Sequence, residues 1–163
     1  MGGRAERGFT LAELVVVLLV VGILAVTLIP RLFDSSSFAA RGARDFLGAS
    51  LRYAQKSAVA MRRNVCVAVT GTGLAVTYAS NAGSDQSCGS SNLVLNPGNG
   101  SPFGDPSNAF PGGATITSSA SFIFDALGRP LAAPSVPAAG PIVLTVSGYA
   151  QPVTIEPETG YVH

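Results

Sequence analysis

The 163-residue chain has no tryptophan, a single histidine, two cysteines and only 12% charged residues, and each shortage excludes something. With His163 the one imidazole and Cys66 and Cys88 the only thiols, there is no Cys and His set at metal-ligand spacing. No Ser, His and Asp arrangement can be argued, and Gly71-Thr72-Gly73 reads as a turn rather than a phosphate cradle. No catalytic residue, metal or cofactor is therefore expected, and the chain is not expected to be an enzyme. A net charge of +1 gives no reason by itself to expect nucleic acid. Aromatics are scarce at 7%, yet apolar residues reach 47%, and much of that excess lies before Pro30.

What is there begins with that excess. A short polar segment, Met1 to Gly8, carries Arg4 and Arg7, and then Phe9-Thr10-Leu11-Ala12-Glu13 leads into an apolar run that ends at Ile29. As a helix, Phe9 to Ile29 reaches about 30 Å, the thickness of a bilayer's hydrocarbon core. The basic residues before it place Met1 to Gly8 in the cytoplasm and send the rest across the membrane. A secretory signal peptide would have a shorter apolar region with its small-residue cleavage site after it, whereas Gly8 lies before the run. A plain signal anchor leaves Glu13 unexplained, since an intramembrane carboxylate costs a few kcal/mol and usually has a partner or a function.

Gly8-Phe9-Thr10-Leu11-Ala12-Glu13 followed by an unbroken apolar stretch resembles the signal of type IV pilins and of the pseudopilins of type II secretion. The resemblance implies that a prepilin peptidase cuts between Gly8 and Phe9 and methylates the new amine on Phe9. It also matches Glu13 to the acid of that family's fifth mature position, and Pro30 to its helix-breaking proline. The physical chemistry agrees independently. Cutting after Gly8 creates a cationic amine one helical turn from Glu13, and in a stack of such helices the amine of one subunit can neutralise the carboxylate of its neighbour.

Beyond Pro30, where a kink or local irregularity is expected, the charge is segregated. Seven basic residues oppose two acids from Arg31 to Arg63, a net +5, and Arg129 alone opposes five acids from Asn64 to His163, a net −4. Leu47, Leu51, Ala54, Ala58 and Met61 recur at three- and four-residue steps, the stripe of an amphipathic helix ending near Arg63 or Asn64, with Arg41, Asp45, Arg52, Lys56 and Arg63 on the opposite face. The period then changes to two: Val65 to Val69, a Gly71-Thr72-Gly73 turn and Leu74 to Tyr78 predict a hairpin. Ser80 to Gly113, rich in Gly, Ser, Asn and Pro, reads as a long surface excursion with a short strand at Leu93-Val94-Leu95. Strands are expected again at Thr115-Ile116-Thr117 and at Ser121 to Phe124 before an Asp125 to Gly128 turn, with a last hairpin from Pro141 to Ser147 and Pro152 to Glu156 and a Thr159-Gly160 turn. An even pair of cysteines outside the cytoplasm reads first as a disulfide, Cys66 to Cys88, two unpaired thiols being the alternative.

The expected fold is α+β: a long N-terminal helix, membrane half then amphipathic half, packed on an antiparallel β-sheet head. The expected segments are a leader (1–8), a transmembrane and assembly helix (9–30), an amphipathic helix (31–64) and a β-rich head (65–163). Phe122-Ile123-Phe124-Asp125-Ala126-Leu127-Gly128-Arg129-Pro130 and Val153 to Val162 resemble the C-terminal half of the secretion pseudopilin H and FimT minor-pilin family. That likeness implies a minor subunit of a type II secretion or related pilus filament, single-pass in a bacterial inner membrane with its head in the periplasm. The partners it implies are other pilin or pseudopilin subunits, the prepilin peptidase and the inner-membrane assembly platform. The alternative is a FimT-like minor pilin that binds DNA through Arg52, Lys56, Arg62 and Arg63. Those relatives tend to carry an arginine-bearing motif after the last Thr-Gly turn, where this chain has Tyr161-Val162-His163.

Overall fold

A computed structural model describes the backbone of residues 9–32, 35–83 and 85–163 and the side chains of 9–25, 36–83 and 85–163. The leader, and with it Gly8, lies outside the described residues. The chain divides into two compact units, Met1–Ser35 and Ser36–His163.

In the first unit, helix α1 spans Leu11–Leu32. Its described side chains are exposed on every face, including Leu14, Val16, Leu18 and Ile23. Pro30 falls in the last turn of this helix, which ends two residues later. The side chain of Pro30, and so the expected kink, lies outside the described residues.

The second unit is a helix laid on antiparallel sheet, which bears out the α+β expectation. Helix α2 spans Ser35–Met61. Ala40, Ala43, Leu47, Leu51, Ala54 and Ala58 recur at three- and four-residue steps along it, and all are buried. The helix stops earlier than the sequence suggests, and Met61 is 36% exposed rather than part of the core stripe. Arg62 takes a left-handed conformation at φ 52. Its N–H donates to the Val59 carbonyl at 3.3 Å and the Arg63 N–H to the Ala58 carbonyl at 3.2 Å, the paired bonds of a Schellman stop built without glycine.

Strands β1 (Val65–Val69) and β2 (Leu74–Tyr78) form the expected hairpin. They join β3 (Ala120–Phe124), β4 (Pro130–Ala133) and β5 (Val136–Pro137) in one sheet of order β2-β1-β3-β4-β5. A second sheet pairs β6 (Ile142–Leu144) with β7 (Val153–Ile155). The predicted strand at Thr115-Ile116-Thr117 contributes only a bridge, Ile116 to Val146. Period-two alternation turns Val65, Val67, Val69, Leu74, Val76, Phe122 and Phe124 inward, where they share one core with Leu144, Val153, Ile155 and the α2 stripe.

The Ser80 to Gly113 segment is not a loose excursion. The Val94 N–H donates to the Val76 carbonyl and the Tyr78 N–H to the Asn92 carbonyl, both at 2.9 Å, so Leu93 to Leu95 runs along the outer edge of β2 and covers it. Phe103 and Phe110 enter the core against Tyr53 and Phe46 respectively, with ring centroids 6.2 Å apart in each pair. Buried Asn108 holds this segment together: its Oδ1 accepts from Asn96 at 2.6 Å and Asn99 at 3.0 Å, and its Nδ2 donates to the Pro102 carbonyl at 2.8 Å. Cys66 and Cys88 are bridged, 22 positions apart with Cα atoms 6.0 Å apart. Closing a loop of that length stabilises the head by roughly 3 kcal/mol in the chain-entropy model.

The two motif turns of the head meet on α2. Buried Asp125 closes the β3–β4 turn, its Oδ1 accepting from the Leu127 and Arg129 N–H groups at 2.9 and 2.8 Å and its Oδ2 from the Arg129 guanidinium at 2.8 Å. The Gln55 amide on α2 then donates to the Gly128 carbonyl at 3.0 Å and the Thr159 carbonyl at 3.1 Å. Gly160, at φ 67, lies where a Cβ would run into the Gly128 carbonyl oxygen. Left-handed strain and overpacking together predict that Gly160→Ala destabilises the head by about 2–5 kcal/mol. A chemical-denaturation midpoint unchanged from wild type would refute this account of the turn pair.

Candidate assembly site

The candidate site at the N-terminus is built on the first turn of α1. Thr10 is its cap: the Thr10 carbonyl accepts from the Leu14 N–H at 3.2 Å, and its Oγ1 accepts from the Glu13 N–H at 3.3 Å. Thr10-Leu11-Ala12-Glu13 is therefore a capping-box sequence. Helix α1 begins at Leu11, so Phe9 lies outside it as the residue preceding the cap, with its side chain 79% exposed.

This geometry gives Glu13 two electrostatic reasons to be where it is. A carboxylate in the first turn is favoured by the unpaired N–H groups and the positive end of the helix dipole. A cationic amine on Phe9 would sit at that same end, where the dipole opposes it, so it gains more than usual from a nearby carboxylate. The sequence reading reached Glu13 through its cost in an apolar span and missed the Thr10 cap. The signal was present as a Thr three residues ahead of a Glu.

Residues 3–29 match the family model of the prokaryotic N-terminal methylation motif. The match, confined to the N-terminal segment, indicates a type IV pilin-like precursor; a motif of this kind implies a membrane-anchored filament subunit and suggests prepilin peptidase processing and assembly with other pilin subunits. No curated protein and no solved structure matches the chain. Among the described residues, no helix is long and apolar enough to cross a membrane.

The second candidate set, Arg52, Lys56, Arg62 and Arg63, is not one solvated face. The Arg52 Nε donates to the Val162 carbonyl at 3.1 Å. Val162 lies on a terminal strand added to β7, where Thr154 and His163 exchange backbone bonds at 2.8 and 3.0 Å. Arg52 thus occupies a backbone acceptor on the open edge of that strand. The Arg63 guanidinium donates to the Ser80 carbonyl at 2.8 Å and ties the end of α2 to the segment after β2. Lys56 and Arg62 remain exposed. The Arg52 and Arg63 side chains donate to backbone carbonyls, Arg52 while itself still exposed, and Lys56 and Arg62 are exposed without such a bond among the described residues.

A charged donor on a strand-edge carbonyl contributes more than an exposed lysine. Arg52→Ala is expected to lower stability by about 1–2 kcal/mol, and Lys56→Ala to stay within about 0.5 kcal/mol of wild type. Equal effects of the two in thermal or denaturant unfolding would count against the division.

Proposed function

We propose that this chain is a minor pseudopilin or pilin subunit of a type II secretion or related type IV pilus filament, assembled through its N-terminal helix. It sits in a bacterial inner membrane in a single pass with its head in the periplasm, and it works without a catalytic group of its own. The observation that carries this reading is the methylation-motif match over residues 3–29 joined to a capped α1 whose first turn holds Glu13 and whose described side chains are apolar and exposed on all sides. A helix that is apolar all round has to be covered by lipid or by other helices, and a filament subunit passes from the first to the second. Withdrawal from lipid leaves the apolar balance of α1 nearly unchanged. Pairing of the Phe9 amine with a neighbour's Glu13 then sets the order and register of addition. An inner-membrane assembly platform supplies the push.

Within that superfamily, the pseudopilin H and FimT likeness of the head is supported by what its motif residues do. Phe122 and Phe124 fill the core edge to face, with centroids 5.3 Å apart. Asp125, Gly128 and Gly160 form the two turns that Gln55 joins. The type II secretion reading is preferred to DNA uptake because Arg52 and Arg63 donate to carbonyls of the head.

The test is intact mass and N-terminal sequencing of the protein from cells with and without prepilin peptidase. The expected mature chain begins at N-methylated Phe9 only when the peptidase is present. Glu13→Ala is expected to leave this cleavage intact and to remove the subunit from sheared filaments. A chain that starts at Met1 in both strains would sink the proposal.

A further inference from the structure

We infer that the groove beside the C-terminal half of α2 is the docking site for a neighbouring pilin-type subunit of another kind, one that inserts an aliphatic or aromatic side chain flanked by a carboxylate. The inference rests on the filament-subunit reading and adds the surface through which that neighbour is held.

The groove has a volume of about 430 Å³ and runs between α2, which contributes Tyr53, Ser57, Ala60 and Met61, and the extended segment at Leu93 and Leu95. Met61, Leu93 and Leu95 are 36%, 41% and 52% exposed within this one concavity. Large apolar side chains gathered in this way mark a contact surface, whereas scattered ones do not. The Ser57 hydroxyl donates to the Tyr53 carbonyl at 2.8 Å, so its proton is committed to its own helix rather than offered to the groove. Both walls are fixed before any partner arrives. The Asn92 side-chain amide donates to the Tyr78 carbonyl at 3.1 Å and to Ser80 Oγ at 2.7 Å, and the Arg63 guanidinium holds the end of α2 to the Ser80 carbonyl at 2.8 Å. A preformed groove loses little conformational entropy on docking.

The charge of the rim selects the occupant. Lys56 lies three positions after Tyr53 and four before Ala60, on the crest beside the groove, and Arg62 follows the helix end. Both are exposed, and neither has an ion pair among the described residues. The only acid of α2, Asp45, lies about three turns before Lys56 and pairs with Arg44 at 3.5 Å. An apolar floor with a basic rim is complemented by an apolar anchor that arrives with carboxylates. Nucleic acid meets such cations but stacks its bases on aromatic faces, and the most exposed side chains of this floor are Met61, Leu93 and Leu95.

The size of the groove selects how the occupant is delivered. Three large exposed side chains make a contact well below what a stable complex of freely diffusing proteins needs. A tethered partner escapes that limit. Helix α1 ends at Leu32 and α2 begins at Ser35, so a subunit packed beside α1 in the proposed stack is confined near α2 at an effective concentration on the order of millimolar. A soluble cargo protein lacks that tether. A minor subunit is flanked by subunits of other kinds, so the tethered neighbour is a different pilin-type chain.

The test uses full-length protein in cells that assemble the filament, with photo-reactive p-benzoylphenylalanine placed at Leu95 in the groove or, as a control, at Val143 on β6, which is exposed and does not line the groove. N-terminal processing is scored in the same samples, and formation of the native Cys66–Cys88 bridge reports that each variant folds. The expected result is processed protein that is cross-linked from position 95 to a different protein, which mass spectrometry shows to begin at an N-methylated residue of its own. Lys56→Glu together with Arg62→Glu is expected to lower this adduct about fivefold or more, and changing the partner carboxylate nearest the cross-link to lysine is expected to restore most of the yield. Processed protein without an adduct, an adduct indifferent to the charge reversal or formed equally from position 143, or one made with a second copy of this chain, a secreted protein, lipid or nucleic acid would each overturn the inference and leave the proposed function standing. Unprocessed protein without an adduct would overturn both.

Discussion

The core of the head is built on one apolar strip of α2, and that constraint governs how both sheets are placed. Ala40, Ala43, Ala54 and Ala58 keep the strip thin at both ends while Leu47 and Leu51 fill its middle, so the five-stranded sheet and the β6–β7 sheet reach one core. Alanine contributes little burial per residue, but it loses no side-chain entropy and lets a strand approach the helix closely. The larger volumes come from the strands and from Phe103, Phe110, Phe122 and Phe124. Deleting one of these rings costs more than deleting one of the helix methyls, because a larger cavity is left behind.

Against that strip, the two flanks of α2 do different work. One is engaged: Gln55 and Arg52 donate to carbonyls of both motif turns and of the terminal strand. The other, with Ala60 and Met61, faces a groove and is open to solvent. The polar flank fixes how the head is clamped to its helix, and its bonds are too specific in geometry to be exchanged for another partner. The apolar flank has no such commitment, and a flexible methionine at its end suits a surface that is covered only in an assembly.

The helix, the first hairpin and the last hairpin were legible because each carries a long enough period: 3.6 residues from Ala40 to Ala58, and two in Val65 to Tyr78 and Val153 to Ile155. The structured path of residues 80–113 was not legible, since its order depends on a side-chain amide network around Asn108 and on two isolated phenylalanines that no periodicity flags. β4 and β5 were also missed, because Pro130 and Pro137 weaken any strand reading. Proline is tolerated in β5 because that strand is the edge of the sheet. The helix end was misplaced for a related reason. Arg62 adopts the left-handed conformation that glycine would have announced, and nothing in an arginine's sequence context marks it.

The N-terminal site was legible as a motif and only half legible as physics. Glu13 stands out because a carboxylate in an apolar run demands an explanation, yet the same residue is also at home in the first turn of a capped helix. The two accounts are compatible and apply at different moments. In the isolated subunit, Glu13 occupies the first turn of a helix capped by Thr10, a position that acidic residues favour. In the stack of helices proposed above, the amine of a neighbour would take over that compensation, and an unpaired Glu13 would present a defined place for the next Phe9. A stack paired in this way would leave an unpaired Glu13 at one end and an unpaired Phe9 amine at the other, so its two ends would differ in charge and addition at each would be distinguishable.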